Sequence, residues 1–280
     1  MGLRTDIAAE ASADYGELEG VTVTERRSED VTVTETVIST AEAAEKLGKK
    51  QGRYVTLELS GLKSGDIDEE DAAHLIAQEL APMLVGGTVL VAGLGNRRMT
   101  PDALGPRCAD GVLATRHIAS ALEKFAGITD TRPVSVIATD VLGRTGIEAQ
   151  ELIRGAVAQV APSLVIAVDA LCSLSTARLG TTVQISDTGI APGSGVGNRR
   201  GELSRETLGV PVIAVGVPTV VDAATVAGDY SGSFFERGGF MVTPREVDML
   251  VDTAAGIVAD GINLALNPKL PIDDIKHALA

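Results

Sequence analysis

The stretch Thr-Val-Leu-Val-Ala-Gly-Leu-Gly-Asn-Arg-Arg-Met-Thr-Pro-Asp-Ala-Leu-Gly-Pro, residues 88–106, decides the fold. Its apolar, β-branched start predicts a buried parallel strand, and Gly93 and Gly95 allow the backbone to turn sharply where that strand ends. Asp102 follows shortly after the turn. Catalytic groups in α/β proteins collect at the carboxyl ends of parallel strands, so Asp102 is a candidate for chemistry, although it could instead cap the next helix.

The composition favours an α/β domain and disfavours several classes of partner. Of the 280 residues, 45% are hydrophobic and only 2% are aromatic, so Val, Ala, Leu and Ile have to build the core, as in parallel sheets covered by helices. A net charge of −14 argues against binding nucleic acid through a general basic surface. The sequence has no run of 18 apolar residues and no signal peptide, so we expect a cytoplasmic protein without a membrane partner.

The cysteine count and the glycine spacing argue against bound metals and cofactors. Cys108 and Cys172 are too few for a disulfide framework or a structural zinc site, and we expect both to be buried thiols. Arg98 stands where the Gly-x-Gly-x-x-Gly fingerprint of dinucleotide sites requires its third glycine. We therefore expect no metal and no cofactor.

Strands and helices alternate along most of the chain. This pattern predicts right-handed crossovers and a mostly parallel or mixed sheet flanked by helices, in a single α/β domain. The repeated Val-Thr-Val-Thr-Glu predicts a β-hairpin at about residues 20–38, and Thr243 is expected to cap a last helix that runs to about Leu266. The predicted strands are 88–92, 133–138, 163–168 and 211–216, and the helices between them are 107–122 and 147–160.

A second aspartate, Asp169, directly follows the apolar run at residues 164–168. Asp102 stands in the same relation to its own strand, and neighbouring strands could bring the two carboxylates together. Two carboxylates at close range share one proton, so that one can activate water while the other protonates a leaving group. A carboxylate at a strand end can also cap a helix or bind a metal.

The stretch at residues 184–200 is rich in glycine. Its backbone N–H groups could converge on an oxyanion or a phosphate, with positive charge added by two arginines, or it could be a flexible surface loop. The candidates for oxyanion or substrate binding in this stretch are Gly193, Ser194, Gly195, Gly197, Arg199 and Arg200.

Longer motifs resemble one family over nearly the whole chain. They are Gly93-Leu-Gly-Asn, Thr100-Pro-Asp-Ala-Leu-Gly-Pro, Thr115-Arg-His, Thr145-Gly-Ile-Glu, Val168-Asp-Ala-Leu, Ile185-Ser-Asp-Thr-Gly-Ile, Gly209 to Ala223, and Met241-Val-Thr-Pro-Arg-Glu-Val-Asp. Together they resemble the germination proteases of spore-forming bacteria. Because the motifs are long and occur in order, the resemblance is more specific than a shared fold.

The resemblance implies an endopeptidase that degrades small acid-soluble spore proteins during germination, by an atypical aspartic mechanism. The two catalytic aspartates of the family fall on Asp102 and Asp169. The fold implied is similar to the hydrogenase maturation proteases and to the phosphorylase-like sandwich, here at residues 7–280. The resemblance also implies a homotetramer in the cytoplasm of the spore core.

The family is made as a zymogen that cuts itself at a site like those in its substrates: an acidic residue, an apolar residue, then Ala-x-Glu. Here Asp6-Ile7-Ala-Ala-Glu10 fits, which makes residues 1–6 a short propeptide. Because such sites carry carboxylates, four arginines could bind the substrate through charge-assisted hydrogen bonds: Arg97, Arg98, Arg199 and Arg200. Each of them could instead be an exposed, solvated side chain.

Three departures from the family pattern accompany the resemblance. The propeptide is short, the region at residues 224–240 is shorter than in other members, and Leu174 replaces an arginine expected near Asp169. Three other functions remain open at this point. They are a metal-assisted peptidase similar to the hydrogenase maturation proteases, a catalytically silent binder of spore proteins, and a phosphorylase-like transferase that uses the glycine-rich stretch for phosphate.

Overall fold

The computed structural model describes residues 5–13, 15–64, 66–118, 131–193, 201–231 and 240–279. Within them the strands are β1 (Val21–Arg27), β2 (Val31–Ile38), β3 (Gly52–Leu59), β4 (Val89–Gly93), β5 (Val134–Ala138), β6 (Leu164–Ser173), β7 (Thr182–Ser186), β8 (Val212–Asp222) and β9 (Met241–Val242).

The helices of the described residues are α1 (Ala8–Ala13), α2 (Ala41–Leu47), α3 (Gly61–Ser64), α4 (Glu69–Leu80), α5 (Leu104–Gly111), α6 (Leu142–Thr145), α7 (Ala149–Val160), α8 (Arg205–Leu208), α9 (Ala223–Ser231), α10 (Val247–Leu266) and α11 (Ile272–Leu279). Short 3-10 turns lie at Ala81–Met83, Thr100–Asp102 and Thr176–Arg178.

All the strands belong to one mixed sheet in the order β1-β2-β3-β7-β8-β6-β4-β5, with β9 paired to β8. The strands β5, β4, β6 and β8 are parallel, and the other neighbours are antiparallel. The α/β class and the single mixed sheet flanked by helices are therefore confirmed, with parallel pairing confined to four strands.

The central strands are apolar on both faces because helices cover both. On one face, residues such as Ile166 and Val168 pack against α4, α5 and α10. On the other, Val165 and Ala167 pack against Ile153 of α7. The helix α10 is long and apolar enough to cross a membrane, but most of it is buried in this core. Its hydrophobicity is thus explained by packing.

Several predicted boundaries are wrong. The helix predicted at 107–122 begins at Leu104 and ends at Gly111, and part of the predicted range lies outside the described residues. The strand expected to end at residue 168 continues to Ser173. The last helix begins at Val247, because the Thr243 hydroxyl donates a hydrogen bond to the Thr219 carbonyl (2.8 Å) instead of capping it.

Candidate functional site

The turn after β4 holds Asp102 in place. Gly95 has φ +110°, and a Cβ there would lie 2.1 Å from the main-chain oxygen of Asp102. Only glycine permits both this conformation and this approach. The Asn96 N–H donates to Oδ2 of Asp102 at 2.8 Å. The carboxylate therefore binds the turn, while Ala103, without a side-chain cap, stands at the N-cap of α5.

The Asp102 segment is also fastened to the neighbouring parallel strands. The Thr219 hydroxyl of β8 donates to the Pro101 carbonyl at 2.6 Å. Gly105 packs so closely that an added Cβ would lie 2.4 Å from the Val168 carbonyl oxygen. The partly buried Asp102 thus sits at the carboxyl edge of β4, against the strands β6 and β8.

Asp169 lies inside β6 and is 4% exposed. The strand β4 ends at Gly93, opposite Val168, and the next residue, Leu94, donates its N–H to the Val168 carbonyl at 2.8 Å. Asp169 is therefore the first residue of β6 beyond the last β4 pair. The structure thus brings Asp102 and Asp169 to the same edge of the sheet, with Leu94 joining their two segments.

The face to which Asp169 points follows from the core. Val168, Val183 and Val215 all pack in the core on one face of the sheet. The residues that follow them, Asp169, Gln184 and Gly216, point to the opposite face because side chains alternate along a strand. These three are in register, with Gly216 of β8 paired to Asp169 on one side and to Gln184 of β7 on the other.

The amino-terminal segment lies against the extension of β6. Asp6 donates its N–H to the Cys172 carbonyl (2.9 Å), and its Oδ2 atom accepts the Cys172 N–H (2.9 Å). Ile7 and Ala8 are buried, at 0% and 1% exposure. The predicted scissile bond, Asp6–Ile7, is therefore held inside the fold, close to the strand that carries Asp169.

Gln184 binds the main chain on both sides of this bond. Its Nε2 atom donates to the Asp6 carbonyl at 2.7 Å, and its Oε1 atom accepts the Ala8 N–H at 2.6 Å. The side chain is itself buried. Lys49 adds a third contact, from its ammonium to the Thr5 carbonyl at 2.8 Å.

Glu10 fixes the far end of the segment. Its carboxylate accepts the Leu174 N–H at 2.8 Å and the Thr5 hydroxyl, and its Oε1 atom lies 3.6 Å from Nε of Arg178. Burial raises the pKa of Glu10, against the opposing effects of Thr5, Leu174, Arg178 and Lys49. Burial likewise lowers the pKa of Lys49, although nearby negative charges oppose the shift.

A cavity of about 420 Å³ adjoins this segment. Its walls include both polar and apolar residues, among them Asp6, Lys49, Tyr54, Gln184, Leu171 and Gly216. A space of this size beside the Asp6–Ile7 bond can accept several side chains of a peptide.

The remaining predicted site residues fall into two groups. Arg97 is paired with Asp110 and also donates to the Pro106 carbonyl (3.1 Å), and the hydrogen bond with Asp110 raises its pKa. Arg98 is exposed, and Gly193 takes a left-handed conformation at φ +73°. The other candidates lie outside the described residues: Ser194, Gly195, Gly197, Arg199 and Arg200.

Sequence reasoning missed Gln184, Lys49 and Arg178. Only for Gln184 does the sequence contain a clue to its position. Polar and apolar residues alternate in β7, so Gln184 must face away from the core that contains Val183 and Ile185. Among the residues that the structure describes, no three His, Cys, Asp or Glu side chains converge as metal ligands do.

Comparison with known proteins identifies the family. Residues 3–237 match the family model described as germination protease. The chain is 41% identical to the germination protease of Caldanaerobacter subterraneus subsp. tengcongensis, over 100% of this chain and 98% of the relative. It is 39% identical to that of Clostridium acetobutylicum, over 98% of each, and 40% identical to that of Priestia megaterium, over 98% of this chain and 77% of the relative.

The alignment with the Caldanaerobacter protein spans 323 positions, more than the 280 residues of this chain. That relative therefore carries additional residues, whose positions the alignment length does not specify. The match nevertheless runs through both aspartate segments and the amino-terminal segment, since it covers the whole chain. The resemblance noted in the motifs is confirmed, and the chain belongs to the germination protease family.

Proposed function

We propose that this protease initiates the degradation of small acid-soluble spore proteins, and that it is made as a zymogen that cuts its own Asp6–Ile7 bond. Asp102 and Asp169 are the catalytic pair. The enzyme meets its substrates in the cytoplasm of the spore core. It acts as a homotetramer and needs no cofactor. Family membership supports the protease activity and its place in germination.

One observation carries the proposal. The Asp6–Ile7 bond is seated on the same strand that carries Asp169, with Asp6 bonded to Cys172 three residues further along. The turn after β4, which holds Asp102, contacts the same strand through the hydrogen bond from the Leu94 N–H to the Val168 carbonyl. A bond with the acidic-apolar sequence of the family's cleavage sites is therefore buried against the extension of the strand that carries Asp169, and this supports the proposal.

In the proposed reaction, the ionised carboxylate of the pair takes a proton from water, whose oxygen attacks the carbonyl carbon of Asp6. The protonated partner then donates its proton to the nitrogen of Ile7 as the C–N bond breaks. Two adjacent carboxylates suit these roles because one proton is shared between them. The products are a carboxylate at Asp6 and an amino group at Ile7.

The experiment is amino-terminal sequencing and intact mass of the purified protein, incubated alone and with a small acid-soluble spore protein. Asp102→Asn and Asp169→Asn variants are run beside the wild type. We expect the wild type to begin at Ile7 and to cut the substrate between an acidic and an apolar residue, while both variants stay intact. A parallel sample with a chelator tests the metal-assisted alternative, since loss of activity there would point to that mechanism.

Near-normal cleavage by either variant would remove the aspartate pair from the mechanism. A wild type that binds the substrate tightly, but produces no new amino termini, would instead support the silent binder.

A further inference from the structure

We propose that Gln184 is a further catalytic residue, whose side-chain amide polarises the carbonyl group that is cut. The inference rests on the proposed self-cleavage at Asp6–Ile7, because the oxygen that Gln184 contacts belongs to that peptide bond. Sequence reasoning placed oxyanion donors in the glycine-rich stretch at 184–200. The geometry of the described residues points to the amide of Gln184, at the start of that stretch.

The orientation of the amide is set by its two partners. The Oε1 atom faces the Ala8 N–H, which can only donate, at 2.6 Å. The Nε2 atom therefore faces the Asp6 carbonyl, which can only accept, at 2.7 Å. If the Oε1 and Nε2 atoms were exchanged, the NH₂ group would face the Ala8 N–H, donor against donor. The oxygen would then face the Asp6 carbonyl, acceptor against acceptor. Gln184 consequently donates to the oxygen on which negative charge develops during hydrolysis.

The backbone of Gln184 is held rigidly. Gln184 lies in the middle of β7, paired with Thr56 of β3 on one side and with Gly216 of β8 on the other. Its side chain is 7% exposed. A donor held in advance by a sheet costs little reorganisation when charge develops on its acceptor, and this makes such donors effective in catalysis.

The same register relates Gln184 to Asp169. Only β8 separates their two strands, so about 10 Å lies between their main chains at the usual strand spacing. Gly216 stands between them without a side chain, and Leu171 packs over it. Gln184 and Asp169 therefore lie on the same face of the sheet, on either side of the position that Leu171 covers.

The chemistry assigns Gln184 one task. When the oxygen of water bonds to the carbonyl carbon of Asp6, the C=O pair moves onto the oxygen, and the N–H of Gln184 stabilises that charge. The C–N bond then breaks, the electron pair returns to the carbonyl, and the protonated aspartate supplies the proton for Ile7. Gln184 neither gains nor loses a proton. Gln184 contacts only main-chain atoms, the Asp6 carbonyl and the Ala8 N–H. It can therefore bind the main chain of a substrate of any sequence once the amino-terminal segment has left it.

The test is Gln184→Glu, with Gln159→Glu as the matched control. Glu keeps the length of the side chain and an oxygen for the Ala8 N–H, but when ionised it has no hydrogen for the Asp6 carbonyl. Gln159 is exposed on α7, where the same change of charge touches nothing in the site. We expect Gln184→Glu to slow self-cleavage by about 10²–10³-fold, the usual loss for one oxyanion donor, and the control to leave the rate unchanged.

Two further readouts separate catalysis from a structural role. For a synthetic peptide of residues 3–12 cut in trans, the loss should fall on kcat with little change in KM. The defect of Gln184→Glu should also shrink as the pH falls, because a protonated Glu regains a hydrogen to donate. A purely structural role would instead raise KM and leave kcat unchanged.

Wild-type rates in a folded Gln184→Glu variant would overturn the inference, as would a loss confined to KM. In either case, an Asp102→Asn variant that is inactive in the same assay would leave the proposed function standing. If circular dichroism showed that Gln184→Glu does not fold, Gln184→Met, similar in length and uncharged, would be judged by the same rates. If the wild type itself cut neither its own chain nor the peptide, the proposed function would fail as well.

Discussion

Glu10 is buried against the partly buried Arg178, with 3.6 Å between the Oε1 atom of the carboxylate and the Nε atom of the guanidinium. Oε1 of Glu10 and Nη1 of Arg178 are buried and have no hydrogen-bond partner within the described residues. The pair connects α1 to the 3-10 turn that follows β6. Because both charges are largely removed from water, each depends on the other for compensation.

We expect Arg178→Met to release the amino-terminal segment and to slow self-cleavage. Removing one member of a buried pair leaves the other charge uncompensated, at a cost of about 3 kcal/mol in the free energy of unfolding. Arg178 also binds Glu58 at 2.6 Å, so the double-mutant cycle with Glu10→Gln is needed to isolate the contact with Glu10. We expect a coupling energy of about 1 kcal/mol or more from denaturant unfolding. Strictly additive effects would show that the two groups do not interact.

The binding of the amino-terminal segment, residues 5–10, to the rest of the fold should weaken as the pH rises. Burial raises the pKa of Glu10 above its ordinary value of 4.5, so the folded protein binds this proton more tightly than the unfolded chain does. The resulting stability is complete below 4.5 and is lost as the pH rises through the raised value. Hydrogen exchange at the Ile7 and Ala8 amides should therefore accelerate over that range.

Glu10→Gln should flatten this pH dependence, and Glu17→Gln, a change at an exposed carboxylate, should leave it as in the wild type. Equal pH profiles for Glu10→Gln and wild type would assign the effect to another group.

Gly95→Ala should damage both stability and cleavage. The new Cβ would meet the Asp102 oxygen at 2.1 Å, in a left-handed conformation that alanine rarely adopts. We expect a loss of about 2 kcal/mol or more and displacement of the Asp102 carboxylate. Gly143→Ala is the control, because its Cβ would meet nothing within 4 Å and its φ is unexceptional; it should be neutral or stabilising by up to about 1 kcal/mol. Similar melting temperatures for both variants would contradict the role of Gly95.

Thiol reagents should not inactivate the enzyme. Cys108 and Cys172 are both buried, and burial raises the pKa of the Cys108 thiol, so its reactive thiolate is scarce in the folded protein. Mass spectrometry after treatment with iodoacetamide should find Cys108 unmodified in the native state and modified in denaturant. Rapid native alkylation with parallel loss of cleavage would argue for a cysteine nucleophile.

The strand-end pattern predicts that Asp102 and Asp169 lie at one edge of the sheet, and the structure places both there, because the position of a polar residue directly after a buried strand is a local property of the sequence. The fold class followed for the same reason. The helix start at Thr243 was predicted wrongly because a hydroxyl that could cap a helix bonded instead to β8, a distant segment.

The contacts around the Asp6–Ile7 bond could not be predicted in this way. Gln184, Lys49 and Arg178 lie in three separate segments, and each reaches residues 5–10 only because of how these segments pack around the sheet. Neither the sheet order nor this packing is encoded in hydrophobic periodicity, so no local pattern identifies these residues as neighbours.

The strand β6 continues for five residues after its last pair with β4, and within the described chain these residues pair with a strand on one side only. An open strand edge attracts other chains, and proteins usually shield such edges against aggregation. In this fold Asp6 occupies part of that edge through Cys172. Cleavage after Asp6 would therefore expose unpaired backbone N–H and C=O groups of β6 at the same moment that it frees the site. A bound substrate strand would cover these groups again, so substrate would also protect the enzyme from aggregation.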